Sequence, residues 1–144
     1  MSDSAPATSA LEPPPGYRLS HFPDGKFSEM VGPLFVRETE TGLRFAFRAA
    51  PKHTNIRNVL HGGMLMTFAD QVLGLTVQHA IGWAAVATVS LNCDFVAAVR
   101  PGELIEGEAT ITRKTRSLIF VKGTLYRGDA VVMNASGLWM RLER

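Results

Sequence analysis

The sequence predicts an α+β domain, with an antiparallel sheet curled onto one long central helix. Three observations carry this. Residues from about Gly63 to Ile81 hold a helical period and are apolar almost all round. After Gly82 four stretches alternate apolar and polar residues at period two. Before the helix, within Pro33 to Ala50, a further alternating stretch reads as a strand pair or one long bent strand.

Taken in order, residues 1 to 26 are expected to form a flexible N-terminal segment. It is rich in Ala, Ser and Pro and includes Pro13-Pro14-Pro15-Gly16. Tyr17, Leu19 and Phe22 are its candidates for docking. Residues 27 to 144 are read as a single domain. Phe27 to Val31 suits a short turn of helix. Leu43, Phe45, Phe47 and Ala49 alternate with Arg44, Ala46, Arg48 and Ala50, the spacing of a half-buried strand. Pro51 to Leu60 is loop, with Asn58 where a positive φ is suited.

The central helix carries Leu65, Phe68, Ala69, Val72, Leu73, Thr76 and Ala80 on one face. Met64, Met66, Leu75 and Val77 widen the apolar surface, so other structure should wrap it. Gly74 is expected to admit another backbone. In the first strand after the helix, Ala87, Val89, Leu91, Cys93 and Phe95 face one way. Thr88, Ser90, Asn92 and Asp94 face the other. Arg100-Pro101-Gly102-Glu103 reads as a type II turn. Ile105 to Thr112 and Ile119 to Leu125 alternate in the same way. Arg113 to Ser117 is a turn, Gly128-Asp129 a hairpin, and Val131 to Leu142 the last strand.

Composition removes several function classes. Of the 144 residues, 46% are hydrophobic and 19% charged, which is globular. The net charge of +2, with no basic cluster among aromatics, argues against nucleic acid as the main partner. The single cysteine, Cys93, excludes an internal disulfide and reads as a small buried hydrophobe. His21, His53 and His79 lack ligand spacing with acids or Cys93, so no metal is expected. Gln71 to Cys93 holds no Asp, Glu, Lys or Arg, but its many polar groups and its change of period oppose a membrane span. The N-terminus lacks the basic start and apolar core of a signal peptide, so a cytoplasmic protein is expected. Ser90 and Ser136 lack a Gly-x-Ser-x-Gly setting, which leaves a serine hydrolase unsupported.

The chemistry concentrates between Asn55 and Gln78. His61-Gly62-Gly63 opens the helix, and Asp70 is the one acid within its apolar run. A helix N-terminus offers free N–H groups and a partial positive charge. Glycines there let a carbonyl that gains negative charge come close. Burial of Asp70 would disfavour its charged form and make it a better base. Gly62 and Asp70 are eight positions apart, roughly 12 Å along a helix. If both act on one bond, a second subunit must bring its Asp70 to the first subunit's Gly62, as in an antiparallel helix pair about a two-fold axis. Structural readings stand beside these. Asp70 could face solvent or an intersubunit hydrogen bond, His61 could brace the loop, and Gly62 and Gly63 could serve packing alone.

Asn55 through His61-Gly62-Gly63 to Asp70, then Thr88-Val-Ser-Leu-Asn92 with Phe95, then Arg100-Pro-Gly102, resemble the hotdog-fold thioesterases. The branch is that of the phenylacetate-degradation and 4-hydroxybenzoyl-CoA thioesterases. In element order the resemblance covers roughly residues 27 to 142. It implies acyl-CoA hydrolysis by a homodimer, or a dimer of dimers, with sites at the interface. Gly62 N–H would bind the thioester oxygen and His61 would orient the loop or assist polarisation. Asp70 of the partner chain would act as general base or nucleophile. Asn55 would position water or carbonyl, and Thr88 would hold the water. Gly63, Arg100, Arg113, Lys114, Arg116 and Ser117 are candidates for substrate binding, the basic ones toward CoA phosphates. No cofactor is implied, since coenzyme A is part of the substrate. Two departures stand out: Asn58 replaces a usual glycine, and Thr115 stands where many relatives carry one. A hotdog hydratase or dehydratase, and a non-catalytic acyl-CoA-binding protein, are the alternatives.

Overall fold

The computed structural model describes residues 11–22 and 25–142. Seven strands form one sheet: β1 (Arg18–Leu19), β2 (Phe35–Thr39), β3 (Gly42–Arg48), β4 (Val86–Phe95), β5 (Leu104–Lys114), β6 (Leu118–Arg127) and β7 (Ala130–Arg141). A short helix α1 (Gly25–Val31) precedes β2, and the long helix α2 (Gly62–Ala80) lies between β3 and β4. The strand order is β1-β2-β3-β5-β6-β7-β4, and every pairing is antiparallel.

The period-two stretches became strands because each has one face to bury. Phe45, Phe47, Ile105, Ile119, Val121 and Leu125 point at α2 and are almost wholly enclosed. Phe68, Val72 and Leu73 of α2 are fully buried against them. Burying each such side chain contributes about 1.5–3 kcal/mol. Close approach of helix to sheet needs small residues beneath it. A Cβ on Gly123 would stand 2.8 Å from Leu73 Cδ1 and 2.7 Å from the Glu108 carbonyl oxygen. Gly74 serves a different contact from the one expected: its neighbour is the Trp139 indole, not another backbone.

Two local expectations are met by backbone geometry. Asn58 has φ +61°, and Gly102 in the Arg100–Glu103 turn has φ +93°. Tyr17 and Phe22 dock as expected. The Tyr17 hydroxyl donates to Glu106 at 2.5 Å, and the Phe22 ring lies 4.5 Å from that of Trp83. Leu19 pairs with Phe35 in the sheet but leaves its side chain 45% exposed. Residues 1–10, 23 and 24 of the expected flexible segment lie outside the described residues.

The structure departs from the sequence reading in β4. This strand does not pair with β5, its successor, but crosses to the far edge beside β7. Its alternation also breaks: Thr88 faces Trp139 and Ser90 faces Leu138, so Val89 is an extra residue in a β-bulge. Trp139 is buried toward the helix, and Thr88 therefore shares the inward side with Leu91 and Cys93 rather than opposing them. The run Gln71 to Cys93 divides between α2 and β4, and no helix among the described residues is long and apolar enough to cross a membrane.

Candidate active site

Helix α2 begins at His61, whose ring Nδ1 accepts the Gly63 N–H at 2.8 Å. The His61 carbonyl accepts from Met64 and Leu65. These contacts use the amides of Gly63, Met64 and Leu65, while the Gly62 N–H has no acceptor among the described residues. It is one of the donors that every helix N-terminus leaves over. A Cβ on Gly62 would stand 3.2 Å from the Phe95 ring, so β4 lies against this end of the helix. A cleft of about 330 Å³ opens here, lined by Val59, Leu60, Leu65, Phe95 and Val99 among others.

The loop before the helix is tied to itself. Asn55 Oδ1 accepts the Arg57 N–H at 2.9 Å, the Asn55 N–H donates to Val59, and the Asn55 carbonyl accepts from Asn58. An Asx turn of this kind holds a loop that has no ladder partners. The Asn55 carboxamide oxygen is thus engaged in shaping the loop. His53, which the sequence reading set aside, is 5% exposed and braces the same loop. Its ring Nδ1 accepts the Ala50 N–H at 3.0 Å and its Nε2 lies 2.6 Å from the Val31 carbonyl. Burial lowers its proton affinity below the ordinary imidazole value, with the Lys52 charge acting the same way. The signal that could have found it is a histidine inside an otherwise tight Pro-containing turn.

Asp70 lies two turns along α2 from Gly62, half-buried, and its Oδ1 accepts the Thr88 hydroxyl at 2.9 Å. Cys93 is also on this inward side of β4, and burial raises its thiol, with Asp94 and then Asp70 adding to the effect. Gly62, Met66 and Asp70 follow one another at intervals of four. They lie on one stripe of α2 that the sheet covers only in part: Gly62 and Asp70 are half-buried, and Met66 is 37% exposed. Within one chain the rise between Gly62 and Asp70 remains roughly 12 Å.

The basic candidates divide into two groups. Arg100 sits in the β4–β5 turn, where its N–H donates to Glu103, close to Leu60 and the start of α2. At the other end of β5 all four candidates are exposed, but the expected Arg113–Ser117 turn is shorter: Arg113 and Lys114 still pair with β6, and Arg116 and Ser117 sit in the turn that the Thr115 hydroxyl closes onto Leu118. The strand residues from Leu104 to Thr112, about 30 Å, separate the two groups. One chain cannot bring both to a single ligand. Among the described residues no three His, Cys, Asp or Glu side chains converge where one metal ion could be held.

Comparison with known proteins agrees with this geometry. The thioesterase superfamily model matches residues 57–133, which span the helix and the strands up to β7. A Pseudomonas aeruginosa protein named as an esterase is 30% identical over 117 residues, 77% of this chain and 84% of its own. A thioesterase-named, phenylacetic acid degradation-related protein from Ralstonia eutropha has TM-score 0.71 at 26% identity, covering 79% of this chain and 88% of that one. A Bacillus halodurans protein, solved with CoA, has TM-score 0.74 at 20% identity over 87% and 83%. A matched model covering more than half of the chain, and a sheet curled about one buried helix that opens His-Gly-Gly, lead to one assignment: the chain belongs to the thioesterase superfamily and has the hotdog fold.

Proposed function

We propose that the protein hydrolyses an acyl-CoA or aryl-CoA thioester to the free acid and CoA, at sites shared between two copies of the chain. The observation that carries the reading is the placement of Gly62 and Asp70 on one half-buried stripe of α2, too far apart to meet in one chain. Strand β4 offers the means to join two chains. It is ten residues long, lies at the sheet edge, and has Asp94 as its one charged residue. Such an edge is a template for another strand. Antiparallel addition of a second β4 about a two-fold axis sets the Val86 end of one chain against the Phe95 end of the other. That brings Asp70 and Thr88 of one chain toward Gly62 of its twin. It also draws the Arg113–Ser117 segment toward the end that holds Arg100, because Thr88, near the Val86 end of β4, shares one row across the sheet with Trp139, Ile119 and Lys114.

In this arrangement the Gly62 N–H donates to the thioester oxygen as it becomes negative, aided by the helix dipole. Asp70 takes the proton of the attacking water, or attacks the carbonyl itself, and Thr88 holds its carboxylate in place. Asn55 and His61 keep the loop and the first turn in register. Arg100, Arg113, Lys114, Arg116 and Ser117 serve the CoA phosphates. The Bacillus halodurans protein, solved with CoA, shows that a protein of this fold binds that carrier. The test is Asp70→Asn in the purified protein, assayed over aliphatic and aromatic acyl-CoAs. Undiminished hydrolysis would overturn the mechanism.

A further inference from the structure

We propose that His53 is a positioning residue that fixes the Gly62 donor, through two ring contacts and a backbone link to His61; this rests on the hydrolase reading. The connection runs through four hydrogen bonds. The ring Nε2, 2.6 Å from the Val31 carbonyl, carries the proton, because a carbonyl only accepts. Nδ1 is then a lone pair and accepts the Ala50 N–H at 3.0 Å. The His53 N–H donates back to the Ala50 carbonyl at 2.9 Å, closing the turn from both sides. The His53 carbonyl accepts the His61 N–H at 2.8 Å. His61 is the residue immediately before Gly62 and caps the helix with its own ring.

Each contact removes one freedom from the oxyanion donor. The Val31 bond anchors the turn to the end of α1, and the Ala50 bonds fix its backbone. The His61 bond sets where α2 starts and therefore where the Gly62 N–H points. The ring is held edge-on against Phe47, centroids 5.4 Å apart, so it cannot rotate to other partners. Both ring contacts need the neutral Nε2–H form, which its burial favours. His53 touches none of the residues proposed to meet substrate by its ring; its influence passes through His61.

The test compares His53→Phe, His53→Asn and His53→Gln in the full-length protein, using acyl-CoA turnover and hydrogen exchange at the His61 amide. Phe keeps the ring packing and removes both nitrogen contacts. Asn Oδ1 stands near the place of Nδ1 and keeps an acceptor for Ala50, whereas Gln reaches Val31 instead. The expected result for His53→Phe is a kcat lower by about 10- to 100-fold at nearly unchanged KM, the signature of a misplaced donor. His61 exchange should quicken by about tenfold or more, and Asn should restore both more fully than Gln. Wild-type His61 exchange in both His53→Phe and His53→Gln, or Asn no better than Gln, would overturn the assignment. If His53→Phe does not fold, the Asn and Gln pair decides. If the wild-type protein hydrolyses no acyl-CoA, the hydrolase reading fails, and the exchange measurement still decides the role of His53.

Discussion

The Thr88 hydroxyl donates to Asp70 Oδ1 at 2.9 Å, joining the central helix to the strand at the sheet edge. The contact exists because Val89 bulges out of the β4–β7 ladder and turns Thr88 inward. Bulges recur beside active sites for this reason: one extra residue re-aims a side chain without changing the fold. A hydroxyl that donates to a carboxylate helps to fix its orientation.

Replacing Asp70 by Asn keeps an oxygen for Thr88 to meet but removes the proposed base. The expected outcome is a kcat lower by at least about 100-fold, within the usual range for a general base, with the thermal midpoint nearly unchanged. Thr88→Ser should retain most activity and Thr88→Ala lose about tenfold or more, since only the second removes the hydroxyl that donates to Asp70. Steady-state kinetics with a melt on each variant checks both.

Much of this site was legible locally. Helical period, the His-Gly-Gly opening and Asp70 are all set by residues a few positions apart, and so was the positive φ of Asn58. The bulge was not legible, because it depends on how Thr88 and Ser90 register against Leu138 and Trp139, some fifty positions away. For the same reason, strict alternation put Thr88 on the wrong side, and chain order alone does not reveal that β4 crosses to β7. His53 was passed over as a non-ligand because its partners, Val31 and Ala50, are backbone groups that leave no trace in side-chain spacing.

Packing under the helix gives a stability prediction. A methyl at Gly123 would meet the Glu108 carbonyl oxygen at 2.7 Å and Leu73 Cδ1 at 2.8 Å. Leu73 can adjust a little, but the neighbouring strand's backbone cannot. Gly123→Ala should destabilise the fold by about 1–3 kcal/mol, as overpacked cores do. Urea unfolding should show a lower midpoint at unchanged slope.

Tyr17 gives a pH prediction. Burial first, and then its hydrogen bond to Glu106, push its hydroxyl up to about 12 from 10.0. The folded state therefore holds the proton more tightly than the unfolded chain. Its contribution is complete below pH 10 and is lost as pH rises toward 12. Tyr17→Phe should cost about 1.5 kcal/mol at neutral pH, the low end for a bond to a charged group, as suits a half-open site. The variant's stability should fall less steeply than that of the wild type above pH 10. Chemical unfolding at a series of alkaline pH values reads the difference.

The proposed shared-site arrangement is tested at Met66, which lies between Gly62 and Asp70 on one stripe of α2 and is 37% exposed. In a lone chain Met66→Lys should be nearly neutral, because a long side chain at a partly exposed helix position can carry its charge into water. Between two α2 helices the same change sets two ammonium groups near a two-fold axis, in a seam with little water. Repulsion and desolvation then oppose association. The expected outcome is a chain that keeps its helical content and sediments as a smaller species than the wild type. Thioester turnover should fall with it, because each Gly62 has lost the other chain's Asp70. Met66→Leu is the control: it keeps an apolar contact of similar volume and should preserve both size and turnover. Full activity from a Met66→Lys monomer would show that one chain holds a complete site, and the spacing of Gly62 and Asp70 would then need another explanation.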